Sequence, residues 1–179
     1  QKFQSAFDKV RKAGIPCSLH AGETDGSASI RNAIEVANSQ RIGHGVRAIE
    51  DPKLMNYLRD KQIPLEICPS SNVCLKVFPS LVEHSLSQLM KHGLYVTINS
   101  DDPPMFNTTL TNEYIICQKT WGWTCATIEK IILNAVDVTL LTMKEKQNMR
   151  CKFKAQFESI KEKVRSKEKK NRPESTFEP

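Results

Sequence analysis

The chain has 179 residues, with 26 Lys and Arg against 20 Asp and Glu for a formal net charge of +6 at pH 7, and it is 39% hydrophobic and 26% charged. That balance supports one soluble domain with a sizeable core. It excludes a disordered tail protein, a collagen and a multi-span membrane protein, since no apolar run approaches the roughly 20 residues that a spanning helix needs. In chain order, residues 1–11 (QKFQSAFDKVR) read as an amphipathic helix without the apolar stretch of a signal peptide, and the opening Gln1 reads as the middle of something longer. Four short apolar segments then read as strands: residues 15–19 (IPCSL), 41–42 leading into GHG, 64–68 (PLEIC) and 94–98 (LYVTI). Helical periodicity occupies residues 29–37, 52–61 and 81–92 between them, with Gly93 as a stop signal. Beyond Pro104 the pattern is helical over 110–121, 126–141 and 144–164.

Strand starts recur every 23 to 30 residues or so, the length of one βα unit, which predicts a parallel sheet with right-handed crossovers. Such units build either an open doubly wound sheet or part of a (β/α)8 barrel. No glycine-rich phosphate loop comes after any strand, so the dinucleotide-binding reading loses its main support. The strands run instead into polar clusters: His20-Ala-Gly-Glu23, Gly43-His44-Gly45, Pro69-Ser70-Ser71-Asn72 and Asn99-Ser100-Asp101-Asp102-Pro103. Active sites of parallel α/β folds are built at that C-terminal strand edge.

A single histidine at a strand end is commonly a hydrogen-bonded structural residue; four polar groups at four successive strand ends shift the reading toward a site. Adjacent Asp101 and Asp102 repel each other unless a cation or donor compensates, although one of them can simply cap the next helix. Zinc accepts imidazole nitrogen and carboxylate oxygen together, which makes His20 and Asp101 candidate ligands and leaves His44 as a ligand or a base. Two further protein ligands are expected. His84 and His92 fall in the predicted helix 81–92 and read as surface residues, Ser70, Ser71 and Asn72 read as helix caps, and Trp121 and Trp123 as packing anchors. The six cysteines show no CxxC pair and read as buried, reduced thiols, which favours the cytosol. Residues 161–179 hold seven Lys or Arg against four Glu, half the net charge, and the alternating signs read as a solvated helix end running into a flexible tail over 166–179. The chain therefore divides into a domain over 1–165 and that tail, with no nucleic-acid or membrane partner.

The strings HAGET at 20–24, RIGHGVRAIEDP at 41–52, IPLEICPSSNVCLKVFPSLVEH at 63–84 and VTINSDDPPMFNTTLTNEY at 96–114 together resemble the adenosine deaminase family. The resemblance implies an α/β chain forming the C-terminal half of a metal-dependent-hydrolase (β/α)8 TIM barrel, about four βα units plus C-terminal helices. It further implies zinc-dependent hydrolysis of adenosine and deoxyadenosine to inosine products and ammonia, with a purine nucleoside as substrate. By resemblance, His20 and Asp101 are zinc ligands, and Glu23 is the proton donor to the purine ring. His44 orients the zinc-bound hydroxide, Asp101 also serves catalysis, and Asp102 hydrogen-bonds the purine. Attack by water on an aromatic amidine carbon requires an activated nucleophile and a protonated ring nitrogen, so Glu23 must carry a proton when substrate arrives. The family's HxH motif, which supplies the other two ligands, is absent from these 179 residues. A missing N-terminal half-barrel is the expected partner, and the chain alone is expected to be poorly active. Adenosine is placed ahead of adenine on MFNTTLTNEY. A non-catalytic binding or scaffold form is the reading from another class.

Overall fold

The computed structural model describes residues 3–170, with side chains described as far as Lys167. Two compact units divide between Leu140 and Leu141. In the first, α1 (Gln4–Lys12), β1 (Ser18–Ala21), α2 (Ser27–Glu35) and β2 (Arg41–His44) lead through a 3-10 turn to α3 (Pro52–Lys61) and β3 (Leu65–Ile67). Next come α4 (Pro69–Cys74), α5 (Leu86–Lys91), β4 (Val96–Ile98), α6 (Pro103–Phe106), α7 (Leu110–Trp121) and α8 (Cys125–Asp137). The four strands lie in the order β1-β2-β3-β4, all parallel. The second unit contains α9 (Met143–Lys170), which opens on a reciprocal cap: the Thr142 amide and hydroxyl both donate to Glu145 Oε2, at 2.9 and 2.7 Å. The expected flexible tail begins within this helix, and residues 171–179 of it lie outside the described residues. Among the described residues, no helix is long and apolar enough to cross a membrane.

Alternation along the strands gives the sheet two unlike faces. Ile42, Leu65, Ile67, Val96 and Ile98 are buried and join a core with Ile30, Leu54, Leu58, Leu86, Leu89 and Ile131 from the helices. On the other face, Ser18 Oγ donates to Glu66 Oε2 at 2.7 Å and Arg41 Nε lies 3.2 Å from Glu66 Oε1, so one carboxylate ties β1, β2 and β3. Helix boundaries obey local chemistry. Asp51 accepts from the Lys53 and Leu54 amides at 3.0 Å ahead of Pro52 and starts α3 where periodicity predicts it. Thr109 caps α7, and Gly122 ends it at φ +65°.

Several boundaries depart from the sequence reading: α2 lies two residues earlier than 29–37, α8 stops at Asp137 rather than 141, α9 runs to Lys170 rather than 164, and two further departures have local causes. β1 starts at Ser18, three residues after the predicted Ile15, because Pro16 has no N–H to give a ladder and Ile15 is exposed. The helix expected over 81–92 starts only at Leu86, since the Leu86 amide is capped by His84 Nδ1 at 3.0 Å and the chain before it turns. All six cysteines are free, as expected, but only Cys68 and Cys117 are buried; Cys74, Cys125 and Cys151 sit on exposed helix positions. Trp121 and Trp123 stack with centroids 5.8 Å apart across Gly122, which matches their reading as packing anchors.

The turn after β2 leaves no room for a side chain. Gly45 has φ +68°, donates its amide to Ala21 O at 2.9 Å, and would place a Cβ 2.6 Å from Leu65 Cδ2. Gly45→Ala is expected to lower stability by about 1–3 kcal/mol, from the left-handed backbone and the overpacking together. A urea midpoint that falls with an unchanged slope would show it; an unchanged midpoint would contradict the geometry.

Candidate active site

Each strand ends in a turn that lifts its polar side chains to one edge of the sheet. His20 leaves β1, His44 ends β2, Ser71 and Asn72 lie in the first turn of α4 after β3, and Asp101 comes after β4. His44 and Asp101 both adopt left-handed backbone, φ 62° and 54°, a conformation that costs energy for residues with a Cβ and persists only where surroundings hold it. Together His20, Gly43, His44, Glu66, Cys68, Asn99 and Asp101 line a cleft of about 350 Å³. A roomier hollow of about 610 Å³ lies between α1 and α2. It is walled by Phe3, Phe7, Leu19 and Val36 and shares only His20 with the cluster, so the smaller cleft is the one equipped for chemistry.

His20, His44 and Asp101 each bring a ligand atom within 4.8 Å of the others. Two imidazoles and a carboxylate suit a borderline divalent cation, so the donor set fits the expected metal. His44 is 2% exposed, and its two ring nitrogens face opposite partners: Nδ1 lies 3.4 Å from Glu23 Oε1 and Nε2 lies 3.9 Å from Asp101 Oδ2. Burial is the largest influence on the His44 pKa and, with the neighbouring His20, leaves it lowered against the raising charges of Glu23 and Asp101. The Cys68 thiol is pushed up by burial, with Asp101, Glu113 and Glu23 adding to the effect, so it stands in the cleft as a neutral thiol.

The structure thus brings together His20, Glu23, His44 and Asp101, the residues singled out at the strand ends. Asp102 stands apart on the exposed rim at the start of α6; its carboxylate makes no capping bond, whereas its carbonyl accepts from the Met105 and Phe106 amides. His92 is exposed, as expected. Three readings need correction. Ser71 is not a cap: α4 has no side-chain cap, and the Ser71 hydroxyl donates to Asp101 Oδ2 at 2.8 Å. Asn72 is fully buried and reaches both Glu23 Oε1 at 3.3 Å and His44 Nδ1 at 3.2 Å. His84 is no surface residue; it is 2% exposed, and its Nε2 lies 3.2 Å from Asn72 Oδ1. The spacing of Leu81, Ser85 and Leu89 mimics one helix, and nothing local marks the tertiary contact that interrupts it. Beneath α4, the fully buried Glu113 accepts from the Ser70 amide at 3.0 Å and from the Thr108 hydroxyl, anchoring the turn that carries Ser71 and Asn72. Among the described residues, every buried polar side-chain atom has a partner.

A family model described as adenosine deaminase matches residues 1–156. Over 140 residues the chain is 44% identical to an adenine deaminase of Rhizobium meliloti, an alignment covering 78% of this chain and 43% of that protein. Its fold matches the crystal structure of adenine deaminase from Arthrobacter aurescens with a TM-score of 0.84 and 27% identity, covering 88% of this chain and 48% of the other. A Burkholderia ambifaria amidohydrolase solved with bound zinc superimposes with a TM-score of 0.84 at 21% identity, covering 92% of this chain and 46% of its own, a likeness of fold alone. The chain spans about half the length of the curated relatives it matches. Its four parallel βα units are part of the TIM-barrel fold of those amidohydrolases. With the strand-end cluster in the order and places that the four strings implied, and the match extending over most of the sequence, the chain belongs to the adenosine deaminase family.

Proposed function

We propose that this chain supplies half of the site of a zinc-dependent purine deaminase, which adds water to adenine and releases hypoxanthine and ammonia. The observation that carries the reading is the convergence of His20, His44 and Asp101 within 4.8 Å, with Glu23 held 3.4 Å from His44. His20 and Asp101 would hold the cation. When bound, zinc lowers the pKa of water to about 7 and so provides the nucleophile. Ser71 donates to Asp101 Oδ2 and fixes that carboxylate. Glu23 delivers a proton to the ring nitrogen beside the carbon that loses its amine, His44 orients the attacking water, and Asp102 at the rim meets the purine ring.

The sequence placed adenosine first. The curated relatives favour the alternative: proteins 41–44% identical to this chain carry the name adenine deaminase. Zinc catalytic sites take three protein ligands or more, so two from this chain call for further ligands from a second half-barrel. The reading includes a reducing, cytoplasmic setting, supported by six free cysteines.

Hydrolysis of adenine and of adenosine, followed at the purine absorbance with zinc quantified on the same sample, tests this. The chain is assayed alone and mixed with the N-terminal half of a related deaminase. Activity in the mixture, with kcat/KM higher for adenine, is the expected result. Stoichiometric zinc in the mixture without turnover would move the reading to a non-catalytic form, and a preference for adenosine would restore the substrate order read from the sequence.

A further inference from the structure

The buried pair His84 and Asn72 lies behind the catalytic residues, and its hydrogen bonds admit only one arrangement of protons. The Leu86 amide can only donate, and it points at His84 Nδ1 from 3.0 Å, so that nitrogen carries a lone pair. A neutral imidazole then has its proton on Nε2. Burial against Phe78 and Trp121, with ring centroids at 4.5 and 6.2 Å, keeps His84 neutral by lowering its pKa to about 4. His84 Nε2–H therefore donates to Asn72 Oδ1 at 3.2 Å. The opposite orientation of the amide would set two donors face to face. With its oxygen committed, Asn72 turns its NH₂ to the other side, where Glu23 Oε1 lies at 3.3 Å and His44 Nδ1 at 3.2 Å. These two atoms are 3.4 Å apart, and the two amide hydrogens serve one each.

We propose that His84 and Asn72 form a positioning relay that sets the tautomer of His44 and selects the oxygen of Glu23 that carries the acid proton. His44 Nδ1, as the acceptor, leaves the ring proton on Nε2, the nitrogen that faces Asp101 Oδ2. His44 then enters the cleft as a hydrogen-bond donor, and the metal is left to His20 and Asp101. Glu23 Oε1, accepting from the amide, leaves Oε2 to bear the proton. One backbone N–H in the first turn of α5 thereby dictates the donor pattern of the site through two side chains that touch neither metal nor purine. The effect on catalysis rests on the deaminase reading; the tautomer does not.

Two-bond ¹H–¹⁵N correlation of the imidazoles in the ¹⁵N-histidine-labelled chain reads this directly, since only four histidines are present. Expected are Nε2–H tautomers for His84 and His44. In Asn72→Asp, an isosteric change, both carboxylate oxygens accept, so His84 keeps its tautomer and His44 inverts to Nδ1–H. In His84→Phe the amide is free to turn, and the His44 signals average between tautomers. An Nδ1–H tautomer of His44 in the unsubstituted chain, or an unchanged His44 pattern in Asn72→Asp, would overturn the relay. Should His84→Phe fail to fold, Asn72→Asp carries the test. In the zinc-loaded mixture that turns over, Asn72→Asp is expected to lower kcat by about 10- to 100-fold with KM unchanged, the size typical of residues that orient a metal site from behind. A mixture inactive with every chain sinks the deaminase reading and leaves the spectroscopic result standing; a raised KM with unchanged kcat sinks the relay's catalytic part.

Discussion

Glu23→Gln is expected to retain zinc and fold while lowering kcat by about 10²–10⁴-fold, the range that a positioned general acid contributes. The substitution preserves size and the oxygen that accepts from Asn72, so the surroundings of His44 are kept. It removes the carboxyl that is proposed to hand a proton to a ring nitrogen and later take part in releasing ammonia; a carboxamide does neither at neutral pH. Metal content and thermal midpoint serve as controls. Turnover equal to that of the unsubstituted protein, with zinc in place, would remove Glu23 from the mechanism.

Asp101→Asn is expected to act on the other half of the chemistry, weakening zinc binding by at least about 100-fold, beyond the range seen when only supporting groups are altered. Asparagine tolerates left-handed backbone, so the φ of 54° at this position is preserved and stability should hold. The Ser71 hydroxyl still finds an acceptor. Lost is the anionic oxygen that a divalent cation requires. Asp102→Asn, one residue further on and exposed, is the contrast: zinc affinity stays and KM for the purine rises. Equal losses of metal in the two variants would show that the pair acts only through its summed charge.

The strand-end cluster was legible because a parallel strand writes its chemistry in one place. His20, His44 and Asp101 come one, two and three residues after an apolar run, and the period of the runs tells that the ends share an edge. α3 and α7 were legible to the residue at both ends, since Asp51 with Pro52 and Thr109 with Gly122 are local signals. The supporting residues were not. Asn72 sits where a cap would, and His84 sits where a helix would; each takes its role from a partner 12 residues away in the chain and a backbone amide capped from the side. Glu113 was passed over for the same reason, because a carboxylate within a helical stretch looks solvated until the turn of α4 is known to lie on it. The substrate was the least legible feature. By resemblance the four strings imply deamination of a purine, whereas they carry no signal that separates adenine from adenosine.

The strand order that places the site also bears on how the polypeptide reaches it. Each described strand pairs with the next in the chain, Ser18 with Arg41, Ile42 with Leu65 and Leu65 with Val96, so among these four strands no sheet contact waits for a distant segment. Chain closure at such separations is entropically mild, and sheets assembled from sequence neighbours form quickly for parallel architecture. As it leaves the ribosome, the chain can add one βα layer at a time, each burying its helix against strands already in place. His20 and Glu23 are then placed first, His44 next and Asp101 last of the four, before α7 brings Glu113 under the turn of α4.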